Sequence, residues 1–585
     1  MANGTMPVPI RKQHGRREKA LKKFSEFSYV RPDRAEFERS MKDLTARFES
    51  ARSADEQNDV MTLVNSVRSS YETMAVIGSI RHTMDTTDKF YDAENDALDQ
   101  LGPVYEGLKS DFYRVLVGSR FRAELEKQWG AQLFSMAELQ MKTFSPAVMA
   151  DLQAENVLAS EYVKLKASAS IPFQGQDRNL SQMQPFTQSP DREVRKAAVK
   201  AVSAFYNDNG ERIDSIYDRL VKLRHGIALK LGFENFVPLA YARLGRTDYD
   251  AAMVANYRRQ VHESIVPLAT GLRKRQAARL GVAPMLFFDE ALEYLTGNAT
   301  PKGDPDWILE NGRVMYTEMS PETREFFEYM TERGLLDLVT RKGKAGGGYC
   351  TYIADEQAPF IFSNFNGTSG DVDVLTHEAG HAFQAYRSRG FRLPEYHFPT
   401  LEACEIHSMS MEFLAWPWMD RFFGEDLEKY LFSHLAGALL FIPYGVTVDE
   451  FQHWVYENPG ATPAGRREAW RAIERKYLPH RDYGDDSFLE GGGYWFRQGH
   501  IFEDPFYYID YTLAQVCAFE FWGRSREDRP LAFRDYVKLC GLGGSLPFTE
   551  LVKAAGLHDP FSDGAIQAIV TPVSAWLDSV DDAKL

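Results

Sequence analysis

The sequence predicts a mainly α-helical protein with one small β-sheet set beside a histidine-bearing helix. Three observations carry that reading. Residues from about 34 to 155 run as a succession of amphipathic helical patterns, and Asp191 opens a second succession through about 280. Two short stretches, Gly346 to Ile353 and Pro359 to Phe362, read as β-strands. Immediately after them, Val372 to Tyr386 forms an amphipathic helix carrying two histidines one turn apart.

Taken in chain order, the basic run from Arg11 to Lys23 reads as a solvated tail or helix face, and no apolar stretch follows it to make a signal peptide. Loops are expected at Ser53-Ala54-Asp55 and Gly102-Pro103, because small polar residues and Gly-Pro pairs break helical periodicity. A short β-like insertion with Gly175 and Pro185 precedes Asp191. The histidine-bearing helix is expected to stop at Gly390, as a C′ glycine. Thr400 is the expected N-cap of the next helix, which starts at Leu401 and ends near Pro417. Further on, Asp504 as N-cap and Pro505 at the first helical position are expected to open a helix running to Gly523. No internal repeat or low-complexity segment is seen.

The motif on the histidine-bearing helix is His377-Glu378-Ala379-Gly380-His381. Residues four apart share a helix face, so both imidazoles can reach one cation at about 2 Å. Glu378, one step round, can sit beside a water on that cation without ligating it. A zinc ion there lowers the pKa of its water towards neutrality, and a carboxylate can take the proton as the water attacks a carbonyl carbon. The pattern therefore points to hydrolysis. A third protein ligand that leaves one position open would complete such a site. On the next helix Glu402, Glu405, Ser408 and Glu412 share a stripe, and periodicity does not choose among the three carboxylates. Position favours Glu405, with Glu412 two turns on as a group that could orient His377 or His381.

A second constellation is His500-Ile501-Phe502-Glu503-Asp504-Pro505-Phe506-Tyr507-Tyr508-Ile509-Asp510-Tyr511. Tyr508 and Tyr511 are three apart and project from one face of the expected helix, with His500 in the loop before it. Phenol and imidazole donors of this kind can stabilise an oxyanion, and a tyrosine stripe can equally be amphipathic packing. Upstream, Gly491-Gly492-Gly493-Tyr494 offers backbone freedom that a closing loop could use, or forms an ordinary turn, with Tyr494 a candidate substrate contact. Gly348 and Tyr349 begin the first β-stretch, where an edge strand could pair with an extended peptide and glycines would let its backbone approach.

These pieces resemble the M3 family of zinc metallopeptidases. The resemblance runs from Gly348 to Glu412, with Pro359-Phe360-Ile361-Phe362 and Asn364-Phe365-Asn366-Gly367-Thr368 leading into the histidine motif and Glu405-Ile406-His407-Ser408 following it. It extends to Ser170-Ile171-Pro172-Phe173-Gln174-Gly175, Asp191 to Arg195, Val448 to Trp454 and the tyrosines near Tyr507, and looks most like the oligoendopeptidase F branch, including the Pz-peptidase type. It covers most of the chain from about residue 160 onwards. The resemblance implies a zincin-like fold with a deep cleft between two helical halves, one Zn²⁺ per chain on His377, His381 and Glu405, Glu378 as the base, and His500, Tyr508 and Tyr511 at the oxyanion. Between Tyr507 and Tyr508 it leaves the donor open; Tyr507 is otherwise a candidate substrate contact. It implies a zinc-dependent endopeptidase acting on short unstructured oligopeptides. The alternatives are a peptidyl-dipeptidase or carboxypeptidase on the same scaffold, and a non-catalytic peptide-binding protein. Two regions are expected, with soft boundaries that can interdigitate: 1–190, helical with the β insertion, and 191–585, catalytic.

Composition agrees. The 585 residues suffice for about two to four domain-sized units, and 44% hydrophobic with 26% charged is ordinary for a globular enzyme. A net charge of −15 argues against a nucleic-acid partner, since phosphate binding needs basic patches. The longest apolar stretch, Leu435 to Pro443, is too short to span a bilayer, so no membrane partner is expected. Cys350, Cys404, Cys517 and Cys540 form no paired framework, which points to reduced thiols and a cytoplasmic location. Cys350 and Cys404 flank the proposed site, where buried inert thiols are the expected reading.

Overall fold

A computed structural model describes residues 22–341 and 343–585, so the basic run before residue 22 lies outside the described residues. The chain divides into two compact units, each assembled from three separate stretches. Unit 1 comprises Met1–Met141, Thr300–Gly424 and Arg524–Gly556; unit 2 comprises Lys142–Ala299, Glu425–Gly523 and Leu557–Leu585.

Unit 1 begins with long helices, Arg34–Ser50, Ala54–Met84 and Lys89–Val117. Phe37, Met41, Leu44 and Phe48 recur at helical spacing and bury themselves among Val60, Met61, Val64, Leu101, Tyr105 and Leu108. Ser53 caps the second helix, its hydroxyl accepting the Glu56 backbone N–H. The expected loop at Gly102-Pro103 is instead the interior of the third helix. Proline removes one donor, but the buried stripe of Leu98, Leu101, Tyr105, Leu108 and Phe112 continues through it, and packing outweighs the local penalty.

The sheet of unit 1 has three strands, β3 (Leu336–Val339), β4 (Tyr349–Ile353) and β5 (Ala358–Phe365), in the order β3-β5-β4. β5 is central and almost wholly buried, antiparallel to β4 and parallel to β3. β4 and β5 are the two stretches read from the sequence. β3 escaped notice because Leu336-Asp337-Leu338-Val339 is too short to show a period.

Unit 2 carries the hairpin β1 (Ile171–Phe173) and β2 (Gln176–Arg178), and Asp191 caps Arg192–Asp208 through the backbone N–H groups of Glu193 and Val194. Its spine is the helix Leu427–Glu457. The sequence offers only a short uninterrupted apolar run there, yet the helical stretch Asp420–Glu457 is long and apolar enough to cross a membrane by length and composition. Of its most apolar window, 56% is buried inside the protein, as befits a core helix.

Candidate active site

The histidine motif lies on Gly370–Ser388. Asp371 fixes the start, its carboxylate accepting the Asn366 and Gly367 backbone N–H groups at 2.9 and 2.7 Å, and the acidic first turn suits the positive end of the helix dipole. Val372, Leu375, Ala379, Ala382 and Phe383 bury one face completely. The helix stops at Ser388 with Arg389 as its cap, and Gly390 does not adopt the left-handed conformation expected of a C′ glycine.

The partner helix is Leu401–Leu414. Thr400 occupies the N-cap position, but its hydroxyl donates to Glu402 Oε1 at 2.8 Å instead of accepting from the backbone. The two helices touch at Gly380, where a Cβ would lie 2.6 Å from both His407 O and Ser408 Cα. Only glycine permits that approach, and the approach brings Glu405 to the histidines.

Glu405 Oε2 lies 3.2 Å from His377 Nε2 and 3.5 Å from His381 Nε2. Ligands each about 2 Å from one ion in tetrahedral array stand roughly 3.3 Å apart, so the trio already has metal-binding dimensions. Its three ligand atoms lie within 4.8 Å of one another. Glu412 Oε1 sits 2.7 Å from His377 Nδ1, which fixes the proton on Nδ1 and turns the Nε2 lone pair inward. Glu405 Oε2 also accepts from the Ser408 hydroxyl at 2.8 Å.

Electrostatics favour a cation here. Burial opposes charge on His377, but its bonds to Glu405 and Glu412 outweigh it and raise its pKa well above the usual histidine range. Burial likewise pushes Glu405 up, yet the two histidines hold it well below the usual carboxylate range. Glu378 is raised, burial outweighing the two histidines, and its Oε2 is buried without a hydrogen-bond partner. A carboxylate raised towards neutrality, with a free oxygen, is equipped to exchange protons. Gly348, at the start of edge strand β4, adjoins it: a Cβ there would be 3.6 Å from Glu378 Oε1. Tyr349 is committed elsewhere, its ring stacked on Phe362 at 4.9 Å and its hydroxyl bonded to Thr83 at 2.6 Å. None of the four cysteines forms a disulfide, and burial, with Glu378 adding to it, pushes the Cys350 thiol up, away from the reactive thiolate.

The second constellation belongs to unit 2, and its backbone departs from expectation. His500 lies in a helical turn, Gly499–Phe502, not in a loop, and the long helix runs Tyr508–Glu527, starting after Pro505 and passing Gly523. The cause is Phe506, whose φ of 71° is left-handed and cannot continue a helix. Three buried side chains hold this kink. Gln452 Oε1 accepts from Phe506 N at 2.9 Å, and Arg246 Nη2 donates to Phe506 O at 2.7 Å and to Asp510 Oδ1 at 2.6 Å. Arg224 donates to Phe502 O at 2.6 Å.

Around this kink the aromatic groups gather. His500 lies 5.0 Å from Tyr508, 5.8 Å from Tyr511 and 5.7 Å from Tyr507, ring centre to ring centre. Gln498 Nε2 donates to His500 Nδ1 at 2.8 Å, which places the ring proton on Nε2. Burial raises the Tyr508 pKa, so its phenol stays a proton donor. The glycines upstream are closely packed. At Gly492, φ is +86° and a Cβ would lie 2.0 Å from Arg467 O, while a Cβ at Gly493 would strike the Phe488 ring at 2.3 Å. Close packing demands both, and at Gly492 so does the left-handed backbone. Tyr494 stacks between Arg497 and Arg481, at 4.3 and 5.0 Å.

Sequence reasoning missed Gly380, Arg224, Arg246 and Asp510. Gly380 could have been flagged as the small residue of a helix contact, but Arg246 and Asp510 are 264 positions apart and carry no local signal.

Residues 24–144 match the Peptidase M3 N-terminal domain, and residues 314–571 match Peptidase family M3. No curated protein sequence matches the chain. Among solved structures, one provisionally assigned as oligoendopeptidase F is 61% identical, covering 97% of this chain and 100% of its own with a TM-score of 0.92. PZ peptidase A, solved with an inhibitor, is 59% identical over 96% of this chain and 100% of its own, also with a TM-score of 0.92. A protein from Bacillus anthracis str. Ames, provisionally assigned as oligoendopeptidase F, is 53% identical over 97% and 100%, with a TM-score of 0.88. The family depends on a metal, for which this chain has the donor set just described. The chain belongs to peptidase family M3, as a metalloendopeptidase of its oligoendopeptidase F branch.

Proposed function

We propose that the protein hydrolyses internal peptide bonds of short, unstructured oligopeptides in the cytoplasm, with one zinc ion per chain held by His377, His381 and Glu405. The observation that carries this reading is the convergence of those three side chains next to Glu378, whose raised pKa and unbonded Oε2 have no structural use. Two histidines and a carboxylate are a catalytic zinc donor set with one position left open. Zinc, when bound, supplies a Lewis acid that polarises the scissile carbonyl and acidifies water.

The remaining work falls to the chain. Glu378 takes a proton from the attacking water and returns it to the amine as the carbon–nitrogen bond breaks, so one carboxylate serves as base and then as acid. Glu412 keeps His377 in the tautomer whose Nε2 is free to ligate. Edge strand β4 offers unpaired backbone groups to an extended peptide, with Gly348 leaving room for it beside Glu378. To His500, Tyr508 and Tyr511 we assign donation to the oxyanion; that role rests on the family resemblance and, for Tyr508, on a phenol that burial keeps protonated.

The test uses an end-blocked, internally quenched peptide of about eight residues, long enough to pair with an edge strand. The wild-type protein should cleave it internally and contain one zinc per chain by elemental analysis. Glu378→Ala should keep the zinc and lose activity by about 10²–10⁴-fold. Equal activity in both proteins would remove Glu378 from the mechanism. A zinc-loaded wild type that cleaves only peptides with a free C-terminus would move the protein to the exopeptidase reading.

A further inference from the structure

Unit 2 contains a cavity of about 300 Å³ whose charged lining is mostly cationic. Arg273, Arg481 and Arg497 contribute to it, against the single carboxylate of Glu290, while Val202, Phe287 and Phe288 supply apolar walls. Glu290 is already engaged: its Oε2 lies 2.8 Å from Arg481 and 3.5 Å from Arg273. Although burial pushes its pKa up, those two arginines hold it at about 2, so it stays charged and its negative charge is fully shared.

Arg497 has no such partner. Among the described residues no carboxylate pairs with it and no acceptor takes a hydrogen bond from its guanidinium; it lies over aromatic rings, 4.3 Å from the Tyr494 ring centre, 5.8 Å from that of Tyr206 and 5.9 Å from that of Phe287. A further donor of the same cavity lining, Arg273 Nε, is buried and makes no hydrogen bond, while Arg481 Nη1 has only Glu474 Oε1, 3.5 Å away. An arginine that lines a cavity without a carboxylate partner leaves its charge and its donors open, and an anion would supply both the charge and the acceptors. A planar carboxylate matches the guanidinium fork, and the phenylalanine and valine walls favour an apolar group behind it.

We propose that this cavity is a binding site for a small organic carboxylate bearing one apolar or aromatic group, with Arg497 as its principal anchor. Benzoate is the probe, measured by equilibrium dialysis against the full-length protein, with benzyl alcohol and sulfate as the neutral and the purely inorganic comparisons. The expected result is one saturable benzoate site per chain. Its affinity should fall about tenfold or more in Arg497→Gln, which removes the charge, and in Val202→Trp, which fills the space, and should survive His381→Ala, which disables the metal trio. The charge variant and the volume variant act independently, so misfolding of one leaves the other decisive. Absence of saturable binding overturns the proposal. So does equal affinity for benzyl alcohol or sulfate, and so does binding that disappears in His381→Ala but persists in Arg497→Gln.

Discussion

The histidine helices of unit 1 and the histidine–tyrosine segment of unit 2 carry comparable side chains but hold them by opposite means. In unit 1 two regular helices do the positioning: four-residue spacing sets His377 and His381, and one missing side chain, Gly380, sets how close Glu405 comes. In unit 2 regular structure fails at Phe506, and side chains from distant parts of the sequence, Arg224, Arg246 and Gln452, fasten the irregular backbone in place. Secondary structure builds the first site. Buried polar anchors build the second, and removing one anchor strands a charge in the core.

That contrast can be broken at defined points. The largest effect is expected for Arg246→Met, which leaves Asp510 buried without its cation: stability should fall by about 3–5 kcal/mol in denaturant unfolding. Metal content should be unchanged in the fraction that stays folded, because none of the ligands is touched. Loss of metal in that fraction would mean the two sites are not held separately. Glu412→Gln should weaken metal binding by about 10–100-fold, measured by competition with a chelator, while barely moving stability. Gly380→Ala should cost about 1–3 kcal/mol, since the added Cβ meets the backbone of the neighbouring helix, and should also weaken metal binding by moving Glu405. An unaltered metal affinity there would show that the helix contact does not set the ligand distance.

Unit 2 also carries a pH dependence at its kink. His453 packs on Phe506 at 5.0 Å, and burial, with Arg258 and Arg246 adding and Asp449 opposing, holds its pKa down to about 4. An unfolded histidine titrates near 6.5. Between those values the unfolded chain binds more protons than the folded one, so stability falls as pH drops from about 6.5 towards 4. Hydrogen-exchange protection at 499–511, corrected for the intrinsic rate at each pH, should fall over that window, and His453→Gln should flatten the fall. Uniform exchange across the chain would deny the kink its own weak point.

The same contrast explains what was legible in the sequence. His377, His381 and the stripe with Glu405 and Glu412 were readable because helical periodicity is local and the residues that use it lie close together. Strands β4 and β5 were readable from their β-branched and aromatic content. The start of the Tyr508 helix was misplaced at Asp504-Pro505, a good capping pair in isolation, because the left-handed Phe506 is imposed by Arg246 and Gln452 from elsewhere. Gly102-Pro103 was misread for the converse reason, a local break overridden by packing. At Gly492 and Gly493 the sequence does not show the close fit, which needs the neighbouring Arg467 backbone and Phe488 ring in view.

The interleaving of the two units has a consequence for biosynthesis. Helix Arg529–Leu542 packs against the histidine helices, and Tyr536 donates to His407 O at 2.8 Å. A ribosome that has already made both histidines and Glu405 must add more than a hundred further residues before this support exists. Until Gly556 has emerged, the metal ligands belong to an unfinished unit, exposed to whatever cations and chaperones the nascent chain meets.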